Sequence, residues 1–364
     1  MNLHIGVDNQ FVDRVYTNIK EAGLDAKNKF IIRTNETPQY VKRDVAYAPL
    51  YSSDFSSIIG NTLDYERVII HQFSPMMFRW VSRNSFHNLA WAPWGVDLYD
   101  LPFVHFNLFE KETYEGFVKQ SREFSDILYR WKYWMSNSFF KNAAYSKVND
   151  LLTWMKSEHT FAHDRIPSLK ASYKFFFYEN PVAYRDLRHL VRQPAERTRK
   201  TLKLIIGNSA TPTNNHVDAV RDLSIQGVKA DLFIPISYGN ASYARFLKTA
   251  LRFYKGGQVE FVDTRMDFNS YLNFLNTADA LVMNNIRPQG YGNIFIMLFL
   301  GKPVFLNINN TSLPDIIEYK IPCLTIDRVK DMEVGTRITE QQLKPLADLL
   351  SHERNLKVCS ELFS

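Results

Sequence analysis

Two cysteines, Cys323 and Cys359, are the only thiols in this 364-residue chain. So few, so far apart, build neither a disulfide framework nor a metal knuckle, and a reducing cytoplasm suits them. Long apolar runs are missing too: the longest, Ile294 to Leu300, falls far short of the roughly 20 residues a bilayer span requires. The opening MNLHIGVDNQFVDR has neither the basic start nor the apolar core of a secretion signal, so a soluble or peripheral protein is expected. Neither G-x-x-x-x-G-K-[ST] nor G-x-G-x-x-G occurs, which disfavours ATPase and nicotinamide chemistry. No cluster of metal ligands is apparent, so no metal and no cofactor are expected. Internal repeats and low-complexity segments are absent as well.

What is present is apolar and aromatic. At 45% hydrophobic and 14% aromatic residues, the chain has enough for two cored domains and too much for one comfortable core. The net charge of +6 is concentrated: residues 101 to 200 hold 17 Lys/Arg against 11 Asp/Glu, the whole excess. Residues 101 to 180 also carry 20 Phe, Tyr or Trp. Such a stretch reads as a well-filled helical core, or as a membrane-surface site in which basic groups meet anionic lipid. Nucleic acid is disfavoured, because no recognition helix or single-strand-binding motif accompanies the charge.

The first half alternates short apolar strands with helical stretches. Strands are expected at Leu3 to Val7, Phe30 to Arg33, Arg67 to Ile70 and Asn88 to Trp91, with a helix from Phe11 through Ile19. From Leu101 to about Lys156 the pattern turns helical, with Arg130, Trp131, Lys132, Tyr133, Trp134, Phe139, Phe140 and Lys141. The polar stretch 191–200, broken by Pro194, reads as a linker. Beyond it the rhythm restarts with strands at Leu202 to Ile206, Asp231 to Ile236, Val259 to Val262, Ala280 to Met283, Val304 to Leu306 and Cys323 to Ile326. Alternation of this kind predicts parallel sheets covered by helices on both faces. The domains read as 1–195, 200–340 and a C-terminal helical segment 341–364 packing back on the first.

Ligands of such sheets collect at the carboxyl ends of the strands. In the second half three loops lie there: Gly207-Asn208-Ser209, Ser237-Tyr238-Gly239-Asn240, and Arg287 to Asn293 with Gln289, Gly290, Tyr291 and Gly292. The last runs from a strand into a helix that opens near Asn293 and stops at Gly301, so unpaired N–H groups face the loop. A diphosphate suits that position, and Arg287 adds a planar fork of donors. In the first half the strand-end positions carry Asp8, His71 and Asp97, each able to take a proton from a hydroxyl. The competing account makes the glycines plain turn chemistry, Arg287 a surface charge, Asp8 and Asp97 helix caps, and His71 a packed strand residue.

Taken together, LKLIIGNSATPTNNHVDAV (202–220), IPISYGNASYARF (234–246), RPQGYGNIFIMLFLGKPVFLN (287–307), VIIHQFSP (68–75) and WAPWGVDLYDL (91–101) resemble the bacterial transferases of 4-acetamido-4,6-dideoxygalactose (Fuc4NAc), the glycosyltransferase family 56 type. The resemblance spans most of the second half and two islands of the first. It implies a GT-B fold: two Rossmann-like, doubly wound α/β domains facing across a cleft, here with a helical aromatic-rich insertion in the N-terminal half. It further implies a dTDP-sugar donor held by Gly207, Asn208, Ser209, Tyr238, Arg287, Gln289, Gly290, Tyr291, Gly292 and Asn293, and metal-independent transfer. The acceptor would be a polyprenyl-diphosphate-linked saccharide, met at the cytoplasmic face of the bacterial inner membrane by a peripheral enzyme of surface-polysaccharide synthesis. Asp97 is the first candidate for the base, then Asp8 and His71. The glutamate that many retaining GT-B enzymes place near such a glycine loop is absent here, so inversion and retention both stay open. A nucleotide-sugar epimerase or hydrolase, or a non-catalytic nucleotide-sugar-binding protein, is the alternative.

Overall fold

The computed structural model describes residues 1–41, 45–99, 106–121, 128, 131–132, 135, 139–178, 187 and 201–364. The expected linker 191–200, along with Arg130, Tyr133 and Trp134, lies outside the described residues. The chain divides into two compact units, one made of residues 1–102, 129–182 and 348–364, the other of 103–128 and 183–347.

The first unit is built on seven parallel strands: β1 (Asn2–Gly6), β2 (Asn28–Ile32), β3 (Ala46–Tyr47), β4 (Arg67–His71), β5 (Leu89–Ala92), β6 (Asp150–Leu152) and β7 (Ser172–Lys174). Their order, β3-β2-β1-β4-β5-β6-β7, reverses direction of winding at β1, the mark of a doubly wound sheet. Central strands are buried on both faces because helices cover them; Leu3, Ile5, Ile69 and Ile70 have no exposed surface, and His4 and His71 are buried among them. Asn9 caps the Gln10–Glu21 helix by accepting from the Phe11 N–H, and its Val12, Val15 and Ile19 enter the core. The C-terminal His352–Phe363 helix joins the same core through Val358, Cys359 and Phe363. Its last carbonyls are held as well: Asn2 and Asn28 donate to Phe363 O, and Arg67 donates to Leu362 O.

The second unit holds six parallel strands: β8 (Leu202–Ile206), β9 (Ala230–Pro235), β10 (Val259–Val262), β11 (Ala280–Met283), β12 (Val304–Leu306) and β13 (Cys323–Thr325). They are ordered β10-β9-β8-β11-β12-β13, again a doubly wound sheet, switching between β8 and β11. The apolar run Ile294 to Leu300 forms most of the Tyr291–Phe299 helix, buried between β11 and neighbouring elements.

Two expectations are corrected. The helical reading of 101 to about 156 misses β6, whose three residues are too few to show a period; β7 follows the Lys156–Arg165 helix. Residues 103–128 belong to the second unit rather than the first. The reason is a set of buried polar bonds: Asp218 accepts from the N–H groups of Glu112 and Thr113 and from the Thr113 hydroxyl, while Asn215 accepts from Glu110 N. Phe117 and Val118 complete the attachment by entering that unit's core.

Candidate active site

At the carboxyl edge of the second sheet the three predicted loops come together. Ala210, after β8, pairs with Gly239, after β9, through Ala210 N to Tyr238 O and Asn240 N to Ala210 O, both 2.8 Å. Asn208 Nδ2 donates to the Tyr238 hydroxyl at 3.0 Å, and Thr213 Oγ1 donates to Gln289 Oε1 at 2.7 Å. The glycine loop after β11 sits directly on the loop after β8. A Cβ on Gly290 would lie 3.2 Å from Asn208 Cγ and 2.6 Å from Met283 Cε, and its φ of +68° is one that side chains rarely adopt. The same residue precedes the first turn of the Tyr291–Phe299 helix, which no side chain caps. The dipole at such a helix start favours an anion, while Asn293 N and Ile294 N already donate to Gly290 O. Tyr291 O–H is hydrogen-bonded to Ser312, and Asn293 lies against the Tyr271 hydroxyl. Ser209, nearly fully buried, shares a hydrogen bond with Thr211. Asn208 Oδ1 is buried with no hydrogen-bond partner among the described residues, an acceptor that a ligand hydroxyl or N–H would satisfy.

Beneath these loops runs an amide network that was not anticipated. Asn214 donates to Ser209 O, Asn285 donates to Thr213 O, and Asn310 donates to Asn285 O. Asn215, held at φ +48°, donates to Leu108 O and to Asn284 O. Glu110 closes it: Asn284 Nδ2 donates to Oε2 at 2.5 Å and Asn307 Nδ2 donates to Oε1 at 2.9 Å. Burial raises the Glu110 carboxyl above its ordinary range, against the pull of those two amides. The consecutive asparagines at 214–215, 284–285 and 309–310 were the visible signal. Behind Gly207 (φ +71°) stands His216, fully buried and held neutral by desolvation at a pKa of about 3.

The carboxyl edge of the first sheet holds the three proton-acceptor candidates, each in a different setting. Asp97 is 7% exposed, and its oxygens accept from Trp94 N, Phe73 N and Trp91 Nε1 at 2.7–2.8 Å. Desolvation raises its pKa and these donors oppose the rise. With both oxygens so engaged, it ties the loop after β4 to the loop after β5. His71 is fully buried in a chain of hydrogen bonds. Asn28 Oδ1 can only accept, so His4 donates from Nε2; His4 Nδ1 then accepts from His71 Nε2, and Tyr178 donates to His71 Nδ1. Burial keeps both rings neutral, His4 at a pKa of about 3 and His71 well below its ordinary value. Asp8 differs. It is only partly covered, and although what burial it has pushes its pKa up, the N–H groups of Val41, Gln39 and Tyr40 outweigh this and keep the carboxylate ionised. Arg33, missed by the sequence reading, lies nearby, donating to His71 O and Gln72 O. Among the described residues no His, Cys, Asp or Glu cluster is placed to hold a metal, and no helix is long and apolar enough to cross a membrane.

Two doubly wound parallel sheets, with the glycine-loop βαβ unit in the second, define a GT-B glycosyltransferase architecture. Solved structures of that architecture align along the chain. Anabaena HepE in complex with UDP-glucose matches with a TM-score of 0.61 at 11% identity, covering 100% of this chain and 99% of its own. Sucrose-phosphate synthase from Thermosynechococcus elongatus matches at 0.57 and 11% identity, covering 100% and 95%. A UDP-forming α,α-trehalose-phosphate synthase from Burkholderia xenovorans matches at 0.56 and 10%, covering 100% and 97%. The chain belongs to the family described as 4-alpha-L-fucosyltransferase, glycosyl transferase group 56, which matches residues 122–348. It is a glycosyltransferase.

Proposed function

We propose that the enzyme moves a deoxy-amino sugar of the Fuc4NAc kind from a dTDP-linked donor to a saccharide carried on polyprenyl diphosphate. The observation that carries the donor side is the seating of Gly290 on Asn208, which sets Arg287 and the uncapped Tyr291–Phe299 helix beside the loops after β8 and β9. In this reading the diphosphate lies at that helix start. Charge growing on the leaving phosphate is met by Arg287, by N–H groups of the glycine loop ahead of Asn293 and by the helix dipole. Asn208, Ser209 and Tyr238 meet the uncharged parts of the donor. The amide network under the loops holds these donors in place before the ligand arrives, which is what electrostatic stabilisation of a transition state demands.

On the acceptor side we keep Asp97, Asp8 and His71 as the candidates for proton removal; Asp8 is the partly exposed one, its carboxylate held ionised by three N–H donors. We place the enzyme peripherally at the cytoplasmic face of the bacterial inner membrane; exposed Trp131, Met135 and Phe139, the last 87% exposed, fit contact with a membrane surface. Rings of this kind settle at the level of lipid headgroups. Thermal shift with dTDP-, UDP-, GDP- and ADP-sugars tests the donor class. Stabilisation by dTDP-sugars above the others supports the reading, and preference for another base overturns the dTDP assignment.

A further inference from the structure

The first unit contains a cavity that the proposed transfer reaction does not use. It has a volume of about 600 Å³ and lies between β4, the end of β7 and the His352–Phe363 helix; none of Asp8, His71 and Asp97 lines it. Four cations do: Arg67, Lys174, Arg354 and Lys357. Arg354, Lys357 and Glu361 fall at helical spacings of three and four, so they share one face of the helix. Glu361 is the only acid among the lining residues, and it faces Lys357 at 3.9 Å with both side chains largely exposed, a pairing of little strength. Arg67 is partly neutralised by Asp150 at 3.4 Å, and its guanidinium is fixed by donation to Leu362 O at 2.5 Å. For Lys174 and Arg354 no carboxylate stands within ion-pair distance among the described residues. Arg354 instead lies 4.6 Å above the Phe175 ring, and Val358 and Leu362 complete an apolar wall.

Four cations around a hollow, facing one lining carboxylate, leave an excess of positive charge that repels itself, and an anion relieves that repulsion. The dimensions suit a small ligand. The guanidinium groups are fork-shaped donors matched to phosphate oxygens, and the ammonium groups add charge without geometric demand. We propose that this cavity is a binding site for a phosphate-bearing ligand, separate from the glycine loop, with Arg354 and Lys174 as its principal contacts and Phe175 and Leu362 receiving the ligand's apolar part. The phosphate belongs either to a soluble diphosphate or to a lipid headgroup, and the two are separable by experiment.

The test is calorimetric titration of inorganic pyrophosphate into Arg287→Ala, in which the glycine loop is weakened, and into Arg287→Ala carrying Lys174→Glu and Lys357→Glu. Both lysines are exposed, so the fold should survive, and thermal melting verifies this. Vesicles of phosphatidylcholine with and without phosphatidic acid form the second arm. The expected result is binding by Arg287→Ala that the lysine changes weaken by about tenfold or more. Loss in the pyrophosphate arm alone marks a soluble ligand, and loss of phosphatidic-acid-dependent vesicle binding marks a headgroup. Equal binding by both proteins in both arms, or no binding of either probe by Arg287→Ala, overturns the site.

Discussion

A Cβ placed on Gly207 would lie 2.5 Å from Nε2 of the buried His216 ring. The backbone there also has φ +71°. Gly207→Ala is therefore expected to cost about 2–4 kcal/mol, combining the left-handed penalty with overpacking. Truncating the ring removes the second part only. In the His216→Ala background the same glycine change should cost less by about 1 kcal/mol or more, a coupling that a double-mutant cycle of denaturant melts would measure. Strict additivity would show that the two residues do not meet.

Glu110 gives the second prediction. Its carboxylate accepts from two buried amides, so Glu110→Ala leaves Asn284 and Asn307 donors unmatched at about 1–3 kcal/mol. Glu110→Gln keeps one acceptor and should lie between alanine and the parent. Because these amides support the glycine loop, nucleotide-diphosphate affinity should follow the same order. Calorimetry giving equal affinity for all three would detach Glu110 from the site.

Asp97 and Asp8 are expected to separate stability from turnover. Asp97→Asn turns an N–H toward one of the donors it now accepts from, and should destabilise by about 1–3 kcal/mol. Asp8→Asn also turns an N–H toward one of the backbone donors its carboxylate accepts from, but at a partly exposed site, so it is expected to lower kcat by about 10²–10⁴ with a smaller change in melting. The candidacy of Asp8 fails if its asparagine variant turns over normally at saturating donor and acceptor.

The buried histidines set the pH dependence. His4 and His216 have folded pKa values of about 3, below the ordinary value of 6.5, and His71 is lowered as well. Below 6.5 the unfolded chain takes up protons that the folded chain refuses, so stability falls as pH falls. Full stability from these groups is present above the unfolded pKa. Between about pH 7.5 and about pH 5.5 each should cost about 1 kcal/mol. Urea midpoints at the two pH values check this, and His216→Gln should flatten the dependence of the second unit's transition. The buried carboxylates Asp97 and Glu110, whose pKa values burial raises, act in the opposite sense, so the decisive readout is the histidine variant: a His216→Gln protein with the parent's pH dependence contradicts the burial of that ring.

The sequence was most readable where short, mostly apolar runs end at a polar turn residue, Asp or Asn. Val259–Val262, Ala280–Met283 and Val304–Leu306 form at the residues expected. It was least readable at Asp150–Leu152 and Ser172–Lys174, three residues each, too short for a period and set among aromatics that fit a helix equally well. Strand-end reasoning located His71 and Asp97 at the correct edge of the sheet. It could not tell that their side chains turn inward, because that depends on Trp91, His4 and Tyr178 meeting them in space. The asparagine pairs read locally as turn and cap residues, and their partner Glu110 lies 174 residues from Asn284 in the chain.

The central claim is transfer from a nucleotide sugar whose diphosphate rests on the Arg287 loop. Its most direct test is the rate of dTDP release from a dTDP-linked deoxy-amino sugar, measured with and without a polyprenyl-diphosphate-linked saccharide, for the parent and Arg287→Ala. The account predicts release that requires the acceptor and falls by about 10²-fold or more in the variant while the fold is retained. Donor consumption that ignores the acceptor, or that Arg287→Ala leaves unchanged, would contradict it.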